Sequence, residues 1–153
     1  GQNVWSSLNT GAWCNYNNSS TNDDTYGKLY NWYAVETGKL CPTGWHVPTD
    51  NEWTVLLHDF LGANGYFGKE RTALKATSGW PSGQNGTDNY GWSGLPGGYR
   101  SFNGNFDNIG VSGFWWSSSQ ASTVFARYRS IDGNTGYVNY YKRNGFSVRC
   151  LRD

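Results

Sequence analysis

Between Cys41 and Trp53 the chain reads Cys-Pro-Thr-Gly-Trp-His-Val-Pro-Thr-Asp-Asn-Glu-Trp, a turn-rich extended stretch that runs straight into a helix start. Thr49 stands where an N-cap stands, and Glu52 follows three residues later, the spacing of a capping box. The threonine oxygen can accept an orphan helical N–H while the glutamate reaches back to the N–H of the cap. Pro48 ends the extended segment and keeps Val47 out of helical geometry. Downstream, Trp53, Leu56, Leu57, Phe60 and Leu61 recur at helical spacing, and Gly62 supplies a stop. The pattern predicts a helix over about 50–61 with one broad apolar face. That face requires a packed partner.

A second periodic stretch carries Tyr26, Leu29, Tyr30, Trp32, Tyr33 and Val35 before Gly38, and predicts a helix over about 26–37. The start, Gln2 to Asn9, reads as extended, with Val4, Trp5 and Leu8 as buried points. Thr10 to Thr25 is rich in Asn, Ser, Asp and Gly and reads as loop. Gly62 to Gly113 is a long irregular middle that something must pin, and Trp80, Tyr90, Trp92, Tyr99, Phe102 and Phe106 are the candidate pins. The last forty residues change character. Strands are expected from Gly113 to Ser117, Val124 to Ile131 and Tyr137 to Tyr141. Lys142-Arg-Asn-Gly145 reads as a hairpin turn, after which Phe146, Val148 and Cys150 alternate inward. The class is α+β: two helices, a small antiparallel sheet, and long aromatic-pinned loops in a single domain over 1–153.

Composition narrows the function classes. The chain holds 9 Trp, 11 Tyr, 7 Phe and 21 Gly, with charged residues at only 15%, so large flat side chains fill the space between irregular segments. A formal charge of +1 supplies no global field for nucleic acid or acidic membranes. No run of about 18 apolar residues predicts a membrane span. The chain reads as a piece excised or processed from a longer secreted protein. Three cysteines leave two arrangements open. A Cys41–Cys150 bridge would close a loop of about 109 residues, worth roughly 4–5 kcal/mol by chain entropy, with Cys14 free or surface-paired. Otherwise all three are buried thiols.

The chemistry of the side chains favours binding over catalysis. His46 and His58 are the only histidines, one in the structural turn and one on the helix, where a structural role outweighs a catalytic one. No Cys/His spacing fits zinc. No cofactor is expected, with calcium as the minor alternative at Asn22, Asp23 and Asp24 or at Asp88 and Asn89; Asx turns in exposed loops explain the same residues. From Ser117 to Asn144 the chain offers Gln120, Ser122, Arg127, Tyr128, Arg129, Asp132, Asn134, Tyr137, Asn139, Tyr140, Tyr141 and Lys142, the residue types of recognition surfaces. Strand alternation puts Arg127 with Arg129 on one face, and Tyr137 with Asn139 and Tyr141. The ligand-binding candidates are Gln120, Ser122, Arg127, Arg129, Asp132, Asn134, Tyr137, Asn139 and Tyr141. Core packing by the tyrosines is the competing account. For a carbohydrate ligand, Trp80, Trp92 and Trp115 are the candidate stacking rings.

Five ordered blocks resemble one family. They are Tyr26-Gly-Lys-Leu-Tyr-Asn-Trp-Tyr-Ala34, Leu40 to Trp53, Leu95-Pro-Gly-Gly-Tyr-Arg100, Phe114-Trp-Trp-Ser-Ser118, and Gly145-Phe-Ser-Val-Arg-Cys-Leu-Arg-Asp153. Together they are similar to the Fibrobacter succinogenes major paralogous domain family over nearly the whole chain; Gly1 to Asn9 departs from its pattern. His46-Val-Pro-Thr-Asp-Asn-Glu-Trp53 also resembles the helix start of formylglycine-generating enzymes. That second likeness implies a C-type lectin-like fold with a twisted sheet and termini close together. The family implies a secreted or surface-displayed bacterial protein or, by analogy within that fold, a phage virion protein. In that fold the last strands commonly bind ligands, and some members diversify them. The expected function is an extracellular adhesion module for a surface protein or glycan, not an enzyme. A calcium-assisted carbohydrate-binding module and a spacer domain are the alternatives.

Overall fold

The computed structural model describes residues 2–131 and 138–153. Helices α1 (Gln2–Ser6), α2 (Ser20–Tyr26), α3 (Trp32–Glu36), α4 (Asp50–Thr54) and α5 (Glu70–Leu74) are all short. Among the described residues nine strands are also short: β1 (Trp13–Cys14), β2 (Leu29–Tyr30), β3 (Trp45–His46), β4 (Gly97–Arg100), β5 (Phe106–Ile109), β6 (Phe114–Gln120), β7 (Phe125–Ser130), β8 (Val138–Tyr141) and β9 (Leu151–Arg152). They pair antiparallel as β1-β2, β3-β9, β4-β5 and the three-stranded β6-β7-β8. The α+β class and the small antiparallel sheets are as expected.

The central helix forms as its sequence dictates. Thr49 Oγ1 accepts from the Glu52 N–H, and the Glu52 carboxylate takes the Thr49 N–H at 2.7 Å, a complete capping box. Beyond Thr54 the coil widens to π-helical winding over Val55–Phe60 and again over Gly62–Tyr66. Trp53, Leu57 and Leu61 are buried, Leu56 is half-buried, and Phe60 is exposed, its ring edge against Tyr90. Gly62 does not stop the coil; the reversal falls at Gly65, whose φ of 85° a side chain would resist.

Other expectations are corrected. The helix expected over 26–37 is divided, because Gly27 turns the chain at φ 72° and Leu29–Tyr30 pairs as β2 with β1. Beyond Tyr26, which ends α2, only Trp32–Glu36 of that span is helical, capped by Asn31, whose Oδ1 accepts the Ala34 N–H and whose buried amide also ties down Thr10 and Ala12. Gln2–Ser6 is helix rather than strand. The irregular middle contains α5, β4 and β5. Lys142-Arg-Asn-Gly145 is a turn but not a hairpin, and neither Asn144 nor Gly145 has the positive φ that a two-residue type I′ hairpin needs. Instead Gly145 bridges to Arg100, Phe146 to Tyr30, and Ser147 to Trp115, so the last segment leaves β8 and threads between other elements.

The adjacent tryptophans of β6 show how one strand serves two cores. Trp115 packs with Trp53, Leu57, Leu61, Leu74, Trp80 and Ile131 on one side of the sheet. Trp116, one residue on, points to the other side, against Trp32, Val35, Ala126 and Phe146. A third cluster of Trp5, Cys14, Tyr16 and Leu29 closes the end near α1. Buried indole N–H groups have acceptors: Trp5 on Arg143 O, Trp32 on Ser117 O, Trp80 on Gly94 O and Trp116 on Tyr30 O, all within 2.7–2.9 Å. Trp53 departs from this pattern.

Candidate functional site

The expected recognition strands are largely engaged with the protein itself. Arg129 is 1% exposed, and its guanidinium donates twice to Asp50 Oδ1 (2.6 and 3.0 Å), to Asp50 O and to Thr54 Oγ1. Arg127 shares its face, as alternation requires, and pairs with Asp50 Oδ2 at 2.8 Å. The two arginines therefore clamp the start of α4 onto β7, and Arg129 is a buried structural residue rather than a surface contact. Gln120 accepts from Lys142 Nζ, and Ser122 caps the β6–β7 turn at Val124 and Phe125. Asn139 is exposed, and Tyr141 lies partly exposed in a row of rings with Phe102 and Phe125. Asp132, Asn134 and Tyr137 lie outside the described residues.

A concave site lies elsewhere, between α4, the 88–93 loop and the C-terminal segment. It is a groove of about 340 Å³ whose walls include Leu56, Trp53, Tyr90, Trp92 and Arg149. That volume falls at the lower end for small-ligand pockets, room for one small ring. The sequence builds its outer wall through an Asx clamp. Asp88 Oδ1 accepts the Ser93 N–H and Oδ2 the Ser93 hydroxyl, both at 2.6 Å. Those contacts hold the Asp88 carboxyl below its usual range, and both residues adopt positive φ. Within the loop that the clamp closes, Tyr90 is exposed and Trp92 is half-buried against the core. Gly94 clears the space behind them, since a Cβ there would sit 2.4 Å from the Trp92 ring. Trp92 meets Trp53 and Trp115 edge-on, and the Arg149 guanidinium lies 4.3 Å over its centroid.

Two polar groups of this groove are not engaged as their kind usually is. Trp53 Nε1 is buried with no acceptor among the described residues. Arg149 is half-buried, and burial pulls its guanidinium below its ordinary range against the opposing charge of Asp88. No carboxylate among the described residues lies within ion-pair distance of Arg149. Sequence reading named Trp92 as a candidate stacking ring, but it missed Trp53 as a polar group and Arg149 altogether. Both sit in motifs that read as purely structural.

Glu52 also lines the groove, but its oxygens are committed. Oε2 serves the capping box, and Oε1 meets His46 Nε2 at 2.9 Å. Burial alone would raise Glu52; the Thr49 N–H, the Thr49 hydroxyl and His46 outweigh it and hold the carboxyl low. His46 Nδ1 faces Asp153 Oδ1 at 2.6 Å, so the ring bridges two acids. Only the imidazolium donates from both nitrogens, and the Asp153 bond, then the Glu52 bond, raises His46 above its ordinary value. A raised folded-state pKa gives stability that is complete below about pH 6.5 and lost as pH rises through the raised value. The melting temperature of the native protein minus that of His46→Gln is therefore expected to fall between pH 6 and 9. A difference constant across that range would remove the bridge from the folding balance.

Metal chemistry has no gathered ligand set among the described residues. Asp23 pairs with Lys28 at 2.5 Å within and beside α2, and Asn89 accepts from the Thr87 hydroxyl. Among the described residues no three His, Cys, Asp or Glu side chains come together around one point. The bridge Cys41–Cys150 is formed, with Cα atoms 5.8 Å apart, while Cys14 is free and buried, its thiol pushed up by burial. No helix among the described residues is long and apolar enough to cross a membrane.

No curated protein and no solved structure gives a significant match to the chain. The sequence profile of the Fibrobacter succinogenes major domain, by contrast, matches residues 2–152. Over nearly its entire length, then, the chain belongs to the Fibrobacter succinogenes major domain family.

Proposed function

We propose that this domain is a non-enzymatic binding module of the C-type lectin-like kind, displayed outside the cell or on a virion, and that it seats a sugar ring in the groove beside α4. The observation that carries the reading is a concave wall that exposes the Tyr90 ring beside half-buried Trp92, with the Arg149 guanidinium over the Trp92 face. Aromatic rings flanked by a polar donor are the surface on which the apolar face of a sugar ring packs. Binding is favoured over catalysis because His46 and Glu52, the titratable pair nearest the groove, engage each other, Thr49 and Asp153. A glycan is favoured over a protein partner because the strands expected to form a flat recognition face turn their arginines inward to Asp50. The disulfide suits an oxidising compartment. The lectin-like assignment draws support from the α+β class and from the first helix lying against the last segment, where Trp5 donates to Arg143 O and Arg143 to Ser6 O.

The test is a glycan array with purified protein, with and without calcium, comparing two surface variants. Tyr90→Ala removes an exposed ring of the groove, and Asn139→Ala/Tyr141→Ala alters the outer strand. Losing one aromatic contact is worth about 0.5–1.5 kcal/mol, so Tyr90→Ala is expected to weaken binding roughly two- to tenfold. The strand variant and calcium removal are expected to leave it unchanged. The reverse pattern would move the site to β8, and no glycan bound at all would favour a spacer domain.

A further inference from the structure

We infer that the sugar seated in this groove is a hexuronic acid whose carboxylate is held by the Arg149 guanidinium, with its ring packed against Tyr90. The inference rests on the carbohydrate reading above and specifies its ligand. The other cations discussed above have internal partners: Arg127 and Arg129 pair with Asp50, Lys28 with Asp23, and His46 with Glu52 and Asp153. Lys142 donates to Gln120. Arg149 instead has a ring. Stacking on Trp92 occupies a face of the guanidinium and leaves the N–H groups, which lie in its plane, unaltered as donors. Those in-plane donors match the two oxygens of a carboxylate.

The remaining wall chemistry points the same way. The nearby acids are already partly engaged: Glu52 accepts from Thr49 and His46, and Asp88 from Ser93. Arg149 is the cation of the groove wall, and it favours a ligand that brings an acceptor. Its aromatic and aliphatic surface, Tyr90, Trp92 and Leu56, suits the apolar face of a ring. A ring with a carboxylate on one edge meets both demands. Burial has already removed much of the water from Arg149, so a ligand charge placed there is weakly screened.

Arg149 also borders a second hollow of about 270 Å³ with Lys28 and Tyr30, whereas Tyr90 lines only the first. The test therefore uses both residues. An array of uronate oligosaccharides is paired spot by spot with their methyl esters, which keep the ring and lose the charge, and neutral glycans are printed beside them. It is probed with native protein, Arg149→Gln and Tyr90→Ala, each checked for a cooperative melt and an intact disulfide. The native protein is expected to prefer the acids at least tenfold, Arg149→Gln to abolish that preference, and Tyr90→Ala to weaken acid binding several-fold. Equal binding of acid and ester, or a preference that survives Arg149→Gln, would overturn the carboxylate while leaving the carbohydrate reading intact. Acid binding lost in Arg149→Gln but unaltered in Tyr90→Ala would move the seat to the second hollow and overturn this geometry. Binding to neutral glycans alone would overturn the uronate, and absence of binding to every spot would remove the carbohydrate reading itself.

Discussion

Replacement of Asp50 by alanine is expected to destabilise the domain by about 3–5 kcal/mol, the usual cost of stripping one partner from a buried ion pair. Asp50 is 7% exposed and takes bonds from Arg127 and Arg129 at once, and the Arg129 side chain is only 2% exposed. Without Asp50, the Arg129 guanidinium loses its two charge-assisted bonds to Oδ1, while those to the backbone oxygen of residue 50 and to Thr54 Oγ1 remain. The position also holds the start of α4, where a carboxylate is favoured by the aligned peptide dipoles. Its own N–H donates to Ser119 Oγ at 2.9 Å, and Ser118 N donates to Pro48 O, so helix and sheet are joined at this corner three ways. Urea denaturation of Asp50→Ala checks the figure. The double variant Asp50→Leu/Arg129→Met separates pair from charge: it is expected to recover much of the loss, because the buried ion goes with its partner and Arg127, 37% exposed, has access to water. A single-variant loss below 1 kcal/mol would mean that water reaches Arg129 readily and that the clamp is not what seats the helix.

That corner also shows what the sequence could and could not disclose. The capping box at Thr49 and Glu52 was legible because it is local: both partners lie within one helical turn, and their chemistry fixes their geometry. The strands at β6, β7 and β8 were legible in the same way, from alternation. The role of Arg129 was not, since its partner Asp50 lies 79 residues away and an arginine on an alternating strand reads as surface by type alone. Asn144-Gly145 failed for the same reason. The dipeptide favours a hairpin, but Arg100 and Tyr30 supply backbone partners that override it. The split of 26–37 into β2 and α3 likewise depends on β1, which local periodicity cannot see. The groove was hidden most completely. Its polar wall consists of a tryptophan on a helix stripe and an arginine beside a cysteine, and only the fold brings 53, 92 and 149 together.

The Cys41–Cys150 bridge is expected to contribute the other large effect. It spans 109 residues, and the chain-entropy argument assigns about 4–5 kcal/mol to a loop of that length, with removal of native bridges typically costing about 2–5. Against a total stability of about 5–15 kcal/mol for an ordinary domain, that is a large share. Cys41→Ser/Cys150→Ser is therefore expected to lose about 3–5 kcal/mol in urea denaturation. The loss should appear as a lower midpoint with a larger m, since the untethered unfolded chain exposes more surface. What remains at this seam is slight: two residues of β3 against two of β9, Asp153 N on Gly44 O at 3.0 Å, and the His46–Asp153 contact. The same segment carries Arg149 and Leu151 into the groove wall, so the untethered protein is expected to lose ligand affinity even under conditions where it is fully folded. A stability loss below about 1 kcal/mol with affinity retained would assign the placement of Arg149 to its stacking on Trp92 and to the bridges of Phe146 and Ser147 upstream, which would then be sufficient to hold the wall without the sulfur tether.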